Sequence, residues 1–443
     1  MVTFGYDIRG IYRKEIGENF AFELGSILST YGKRVAVGYD CRTSSIHLHN
    51  SLVNALLEGG CKVVTIGMIP NPVCYFYTFH KKLDFGVYIT ASHLPSEYNG
   101  FKLIRGDGTS FTSELQQIRE ALQQGGRRME ERVAQGSHEV DIMADQEYIN
   151  HLIPKFKVLG KPLIVVDCMY GSSSNMLRIF ESLGCRLIAL RAKPLGDFGG
   201  IRPEPLEENL TSLREKVVKN QALFGVAYDG DADRAVFVDD LGRVVDGSKA
   251  IAIFCKYLLR RAGKVVISID SSIGLEKIIQ DLGGEVIWSK VGHSNIEESL
   301  VKHNAIFGGE QSSHFYFNDF YPFSDGILAT LYMLEILTTS RERLSRIVDS
   351  IQLPAYQKIN LNLENTERRD KMFELLKQRL AEKFELNLEL GYIIFRVDEN
   401  RVVIRKSETE PFLRISVESY EETKLDELKQ LIMGQIEELS KQL

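Results

Sequence analysis

The sequence predicts an α/β protein: three similar α/β domains with mixed sheets, followed by a smaller α+β domain at the carboxyl end. Three observations carry this. The chain has 443 residues, 44% of them apolar, too many for one ordinary core, so it should divide into domains. One unit recurs three times: an apolar strand closing on Asp, a polar loop, an amphipathic helix, a Gly-containing stop and a second strand. Beyond Leu353-Pro354 the pattern changes.

The first copy runs from Arg34-Val35-Ala36-Val37-Gly38-Tyr39-Asp40 through a helix over Leu52 to Leu57 to Lys62-Val63-Val64-Thr65-Ile66. The second runs from Leu163-Ile164-Val165-Val166-Asp167 through a helix over Met176 to Leu183 to Arg186-Leu187-Ile188-Ala189-Leu190. The third runs from Val265-Val266-Ile267-Ser268-Ile269-Asp270 through a helix over Leu275 to Leu282 to Glu285-Val286-Ile287-Trp288. Strand, helix and strand at this spacing are βαβ units, each expected to nucleate its own partly parallel sheet. The last part reads as strands over Lys358 to Leu363, Gly391 to Val397, Arg401 to Arg405 and Phe412 to Glu418, with helices over Asp370 to Phe384 and Glu422 to Leu439. The expected domains are 1–145, 146–250, 251–353 and 354–443.

Composition excludes several functions. No segment approaches the ~18 to 20 uninterrupted apolar residues of a membrane span, and the amino terminus lacks a secretion signal, so a cytoplasmic location with no membrane partner is expected. The net charge of -6 argues against nucleic-acid binding. Six scattered cysteines without a Cys-x-x-Cys pair are expected to be free thiols.

Chemistry concentrates in Asp229-Gly230-Asp231-Ala232-Asp233-Arg234, between the strand-like runs Phe224 to Tyr228 and Ala235 to Val238. Two carboxylates about 4 Å apart repel by roughly 4 kcal/mol at an effective dielectric near 20, so three held together call for a cation. An all-oxygen set suits a hard ion, with Mg²⁺ leading. An EF-hand does not fit: Arg234 and Asp240 occupy the positions that need Gly and Glu. From the carboxylates alone, a solvated Asp/Gly turn is the competing reading.

Other stretches are weaker singly. Thr90-Ala91-Ser92-His93-Leu94-Pro95 ends a strand over Phe85 to Ile89 and precedes Tyr98-Asn99-Gly100-Phe101-Lys102. The Gly-x-Ser-x-Gly elbow is absent, but beside a metal a serine hydroxyl can carry a phosphoryl group. Gly308-Gly309-Glu310-Gln311-Ser312-Ser313-His314 offers donors and acceptors for a polyhydroxylated ligand. Arg405-Lys406-Ser407-Glu408-Thr409, with Arg414, offers a phosphate site or a solvated hairpin. Tyr6-Asp7-Ile8-Arg9-Gly10 and Lys290-Val291-Gly292-His293-Ser294 add little alone, and Asp40-x-Arg42 reads as a local ion pair.

Taken in order, these segments resemble the α-D-phosphohexomutase family, in particular its bacterial phosphomannomutase/phosphoglucomutase group, over almost the whole chain. The resemblance implies four domains around a central cleft, each giving one motif. It implies that Ser92 is a phosphoserine, and that Asp229, Asp231 and Asp233 hold one Mg²⁺ together with a phosphoserine oxygen. Arg9, Arg234 and Lys102 would surround the transferring group, with Lys102, His93 or His314 moving protons. Glu310 and Ser312 would grip sugar hydroxyls, Tyr6, Lys290 and His293 would face the ring, and Arg405, Ser407, Thr409 and Arg414 would hold the phosphate that is not reacting. The implied reaction interconverts hexose 6-phosphate and hexose 1-phosphate, of mannose or glucose, through hexose 1,6-bisphosphate. The last domain is expected to swing about the Pro354 region, and the chain to act as a monomer or homodimer.

Three positions depart from the family pattern: Leu94 for the usual Asn, Ser313 for Gly, and Glu408 for Gly or Asn. A carboxylate at Glu408 should repel the ligand unless turned away or paired with Arg405 or Lys406, so Glu408→Gly is expected to lower the Michaelis constant. Two other functions compete. Gln311 points toward a phosphoglucosamine mutase, against Lys290 and His293, and the altered loops leave room for a sugar-phosphate-binding relative without catalysis.

Overall fold

The computed structural model describes residues 2–125, 135–259, 262–407 and 411–441. Four sheets follow one another along the chain. The first has seven strands, β1 (Thr3–Phe4), β2 (Ile8–Ile11), β3 (Arg34–Tyr39), β4 (Lys62–Met68), β5 (Phe85–Ile89), β6 (Tyr98–Arg105) and β7 (Ser137–Val140), in the order β1-β2-β6-β5-β3-β4-β7. β3, β4, β5 and β7 are parallel, and β6, β2 and β1 continue the sheet antiparallel.

The second sheet orders β8 (Leu163–Asp167), β9 (Arg186–Leu190), β10 (Phe224–Tyr228) and β11 (Ala235–Val238) as β11-β10-β8-β9. The third orders β12 (Lys264–Ser268), β13 (Glu285–Ser289), β14 (Phe307–Gly309) and β15 (Phe315–Phe317) as β13-β12-β14-β15. In both, a parallel trio ends in an antiparallel edge strand. The three βαβ echoes are therefore real, and the chain also turns back at an equivalent place in each sheet. Those turns, β5 to β6, β10 to β11 and β14 to β15, carry Ser92, the acidic run and Glu310 to His314.

Residue type explains the layers. β5 and β10 are buried at every position, as continuous apolar strands covered on both faces must be. The last sheet, β16 (Ala355–Asn362), β17 (Ile393–Val397), β18 (Asn400–Lys406) and β19 (Phe412–Ser419), is antiparallel in the order β16-β19-β18-β17. Along most of β19 buried residues alternate with half-buried ones, because only one face meets the helices Thr366–Ala381 and Glu422–Ser440.

The expected divisions at 145/146 and 250/251 fall inside the helices Ala144–Leu152 and Gly247–Leu258, and 353/354 falls between the helix Leu344–Asp349 and β16. All six cysteines are free. No helix among the described residues is long and apolar enough to cross a membrane.

Candidate active site

Ser92 caps the turn after β5 with a left-handed backbone, φ +50°, a conformation that non-glycine residues hold only where the surroundings enforce it. Its amide donates to Thr90 Oγ1 at 2.7 Å, and its hydroxyl donates to Asp229 Oδ2 at 2.8 Å with His93 Nδ1 at 3.2 Å. The loops also meet through backbone: a Cβ added to Gly230 would lie 2.7 Å from the Ser92 carbonyl oxygen, so glycine is required for that approach.

Asp229, Asp231 and Asp233 are buried and bring ligand oxygens within 4.8 Å of one another. Both oxygens of Asp231 and Oδ1 of Asp233 are buried without a hydrogen-bond partner. Lys102 Nζ lies 2.5 Å from Asp233 Oδ2 and 3.0 Å from Asp231 Oδ2. Burial, with the charges of Asp233 and Asp231, pushes the Asp229 carboxyl well above the usual range. Burial works in the same direction on Asp233, but Lys102 and His314 outweigh it and hold that carboxyl well below the usual range. Orphaned buried oxygens in an all-carboxylate set fit a hard divalent cation such as Mg²⁺.

Cations ring this centre. Arg9 grips Asp7 through Nε and Nη2 at 2.7 to 2.9 Å and senses Asp231 and Asp233. Arg234 Nη2 donates to His93 Nδ1 at 3.0 Å, and its Nη1 reaches Glu204 at 3.4 Å. Burial, then Arg234, Arg9 and Arg202, press the His93 pKa well below its ordinary value, so the ring is neutral. For Lys102, burial opposes the charge but Asp231 and Asp233 outweigh it, so the ammonium stays protonated.

The third sheet's turn is bonded to this centre. Ala235 N–H donates to Ser313 O at 3.1 Å, and His314 Nε2 lies 3.3 Å from both Asp233 Oδ1 and Arg234 Nε. His314 Nδ1 meets Ser312 Oγ at 2.9 Å and Glu310 Oε1 at 3.3 Å. Glu310 also accepts from Tyr316 Oη at 2.7 Å and from Gly292 N–H at 2.9 Å. Tyr6 lies edge-on to His293, ring centroids 6.1 Å apart, while Lys290 is exposed at the end of β13. Burial works to lower the His293 pKa, but the Glu297 carboxylate outweighs it and raises the net value. Ser313 has φ +67°, so a serine occupies a backbone that favours glycine.

In the last domain, Arg405 faces Arg414 across the β18–β19 hairpin. Ser407 is buried, and its carbonyl accepts from Arg369 Nη1 at 2.6 Å. Burial above all, then Arg414 and Arg405 against the opposing charge of Asp270, pushes the Lys358 ammonium pKa down. Glu408 and Thr409 lie outside the described residues.

Gln311 makes its contacts within the protein: its Nε2 donates to Asp246 Oδ2 at 2.6 Å and its Oε1 accepts from Ser248 N–H at 3.1 Å, so its amide is engaged at the start of the helix Gly247–Leu258. One expectation needs correction. Asp40 and Arg42 form more than a local pair, since Arg42 also bonds four carbonyls of the Ser92 loop. Sequence reasoning missed Asn71, Arg202, Lys358 and Arg369. Asn71 opens the helix Asn71–His80, its backbone N–H donates to Asp231 O at 2.9 Å, and its side-chain Oδ1 is buried without a hydrogen-bond partner. Only the break before Pro72 could have marked it.

Residues 2–129, 146–242 and 246–353 match the alpha/beta/alpha domains I, II and III of phosphoglucomutase/phosphomannomutase. The chain is 32% identical over 429 residues to a protein of Methanococcus vannielii named phosphoglucosamine mutase, covering 95% of both chains. It is 34% identical over 464 aligned positions to a Thermococcus kodakarensis protein named phosphoglucomutase/phosphomannomutase, covering 99% of this chain and 98% of the other. Its fold is similar to that of a phosphoglucomutase/phosphomannomutase family protein from Burkholderia thailandensis, with a TM-score of 0.89, 24% identity and coverage of 99% and 98%. It is also similar to Aspergillus fumigatus N-acetylphosphoglucosamine mutase in complex with GlcNAc-6P and magnesium, with a TM-score of 0.61, 12% identity and coverage of 98% and 95%.

Proposed function

The chain belongs to the phosphoglucomutase/phosphomannomutase family, and from that premise we propose that it is a Mg²⁺-dependent mutase interconverting hexose 6-phosphates and hexose 1-phosphates through phosphorylated Ser92. One observation carries the reading: Ser92 Oγ, from the first sheet, lies 2.8 Å from Asp229 Oδ2, in a buried trio from the second.

In the first half-reaction the Ser92 Oγ–P bond breaks and a P–O bond forms to the free sugar hydroxyl, whose proton leaves to a base. In the second, the other phosphate passes to Ser92 Oγ and the sugar oxygen it leaves takes up a proton, so no water is consumed. In-line transfer sets the sugar hydroxyl opposite Oγ. His93, beside Oγ, therefore serves the serine end. His314 touches both the acidic trio and the sugar turn and is the proton carrier at the sugar end. Lys102 and Arg9 act as fixed positive charge, with Arg234 bridging both ends. Asp229, Asp231 and Asp233 would hold Mg²⁺, which when bound supplies charge neutralisation at the serine oxygen.

Glu310 and Ser312 grip sugar hydroxyls, Tyr6, Lys290 and His293 face the ring, and Arg405, Ser407, Thr409 and Arg414 hold the far phosphate in either orientation of the hexose 1,6-bisphosphate. Among hexoses, the names of similar proteins favour glucosamine phosphate and set it ahead of mannose phosphate. Turnover of glucosamine, glucose and mannose 1-phosphates with Mg²⁺ and a trace of hexose 1,6-bisphosphate tests this. The expected result is isomerisation without release of inorganic phosphate. Phosphate release at the same rate would make the protein a phosphatase, and binding without turnover would make it a non-catalytic relative.

A further inference from the structure

We infer that Asp40, Arg42 and Thr90 form a positioning assembly for the reacting serine, holding the Ser92 loop in the strained shape that presents Oγ to Asp229. The inference rests on the mutase reading and extends it to residues that do not touch the acidic trio.

Arg42 is buried and every one of its N–H directions is used. Nε donates to Asp40 Oδ2 at 3.0 Å, Nη1 to Pro95 O at 2.6 Å and Tyr98 O at 3.1 Å, and Nη2 to Ser92 O and Leu94 O, both at 2.7 Å. Five donors in a rigid plane meet one carboxylate and four carbonyls, so the loop is fixed at both ends and at its centre. A pair serving only its own charge would leave the carbonyls to water.

Asp40 extends the network to the other side of Ser92. Its Oδ2 accepts from Thr90 Oγ1 at 2.8 Å, and Thr90 Oγ1 accepts from Ser92 N–H at 2.7 Å. Its Oδ1 accepts from Ser45 Oγ at 2.6 Å and Arg42 N–H at 3.0 Å. Ser92 is thus held through its amide and its carbonyl at once, which leaves its hydroxyl directed to Asp229 and accounts for the persistence of φ +50°. The guanidinium also stacks on Phe198, 4.8 Å from the ring centroid, tying the assembly to the second domain that supplies the acids. Lysine would keep the charge but has three donors and no plane, so Arg42→Lys frees part of the loop without stranding Asp40.

A displacement of the reacting atom by about 1 Å costs about a hundredfold in rate. Arg42→Lys is therefore expected to lower kcat, and the rate at which hexose 1,6-bisphosphate phosphorylates Ser92, by about 100-fold, with KM for the hexose phosphate changed by less than about threefold. In Arg42→Ala, added guanidinium ion is expected to restore at least about tenfold of the loss, with no effect on the unaltered protein. A kcat within about threefold of normal in Arg42→Lys, or a KM that rises as far as kcat falls, overturns the assignment. Should neither arginine variant fold, Thr90→Val decides: a kcat about tenfold lower at constant KM supports it, and unchanged kinetics overturn it. If the unaltered protein never takes phosphate on Ser92, the mutase reading itself fails, a result distinct from normal phosphorylation that Arg42→Lys leaves intact.

Discussion

Around Ser92, side chains from three sheets meet within hydrogen-bonding distance of one another: Ser92 with Asp229, Lys102 with Asp233, and His314 with Asp233. Around Arg405 the arrangement is different. Arg405 and Arg414 face one another across a single hairpin, and Ser407 is held by Arg369 of the same domain. The first region is convergent; the second is a patch of positive charge carried on one sheet. A mutase needs both. One end must hold a phosphoryl group in line with an oxygen, and the other must accept whichever phosphate the sugar presents after turning.

Breaking the convergent end should give the largest effects. Ser92→Ala is expected to remove isomerisation by a factor of about 10⁴ or more while the chain still binds hexose phosphate, because the covalent route is gone. Calorimetric binding beside a turnover assay checks both parts. Asp231→Asn should weaken Mg²⁺ binding at least about 100-fold and lower kcat comparably, since it removes one carboxylate charge of the trio, whose Oδ1 is buried without a hydrogen-bond partner. Titration with Mg²⁺ measures the first. Chelation of the unaltered protein should abolish turnover, with recovery on adding Mg²⁺.

The other end should answer in KM. Arg405→Ala removes a charge-assisted contact, and a rise in KM of about 10- to 100-fold with a smaller change in kcat is expected. A loss confined to kcat would mean that the hairpin belongs to the convergent region after all. The smallest effect tests how the last domain is seated. It docks on the third through Glu418, which pairs with Arg401 inside the last domain and accepts from Ile273 N–H at 3.1 Å, through Arg401 Nη2 donating to Ser271 O, and through the half-exposed Arg396–Glu276 pair at 2.8 Å. Arg396→Ala should cost less than about 1 kcal/mol because solvent screens that pair, seen as a small shift in Tm.

The legible parts were those whose signal is local. Three acids on alternate residues between apolar strands announce themselves, and so does the thrice-repeated strand closing on Asp. The three functional turns fell where apolar runs stop. From the sequence Arg42 reads as a mere pair with Asp40, because its importance comes from carbonyls about fifty residues away, which no local pattern encodes. The contacts of Gln311 are illegible for the same reason: only the folded chain shows Asp246 and Ser248 beside it. β2 is four residues long, too short for periodicity to show that Arg9 stands on a strand beside β6. Lys358 lies on a strand whose partners are set by long-range pairing, so its place near Arg405 and Arg414 could not be read beforehand.

The central claim is that a hydroxyl from the first domain and an acidic trio from the second form one phosphoryl-transfer centre. Intact-protein mass spectrometry after incubation with hexose 1,6-bisphosphate tests it most directly. One phosphate on Ser92, acquired with Mg²⁺ and exchanged for the isotope-labelled phosphate of added hexose monophosphate, is the expected result. A chain that takes up no phosphate, or that keeps its original unlabelled phosphate on Ser92 in the presence of Mg²⁺ and labelled hexose monophosphate, would contradict the account.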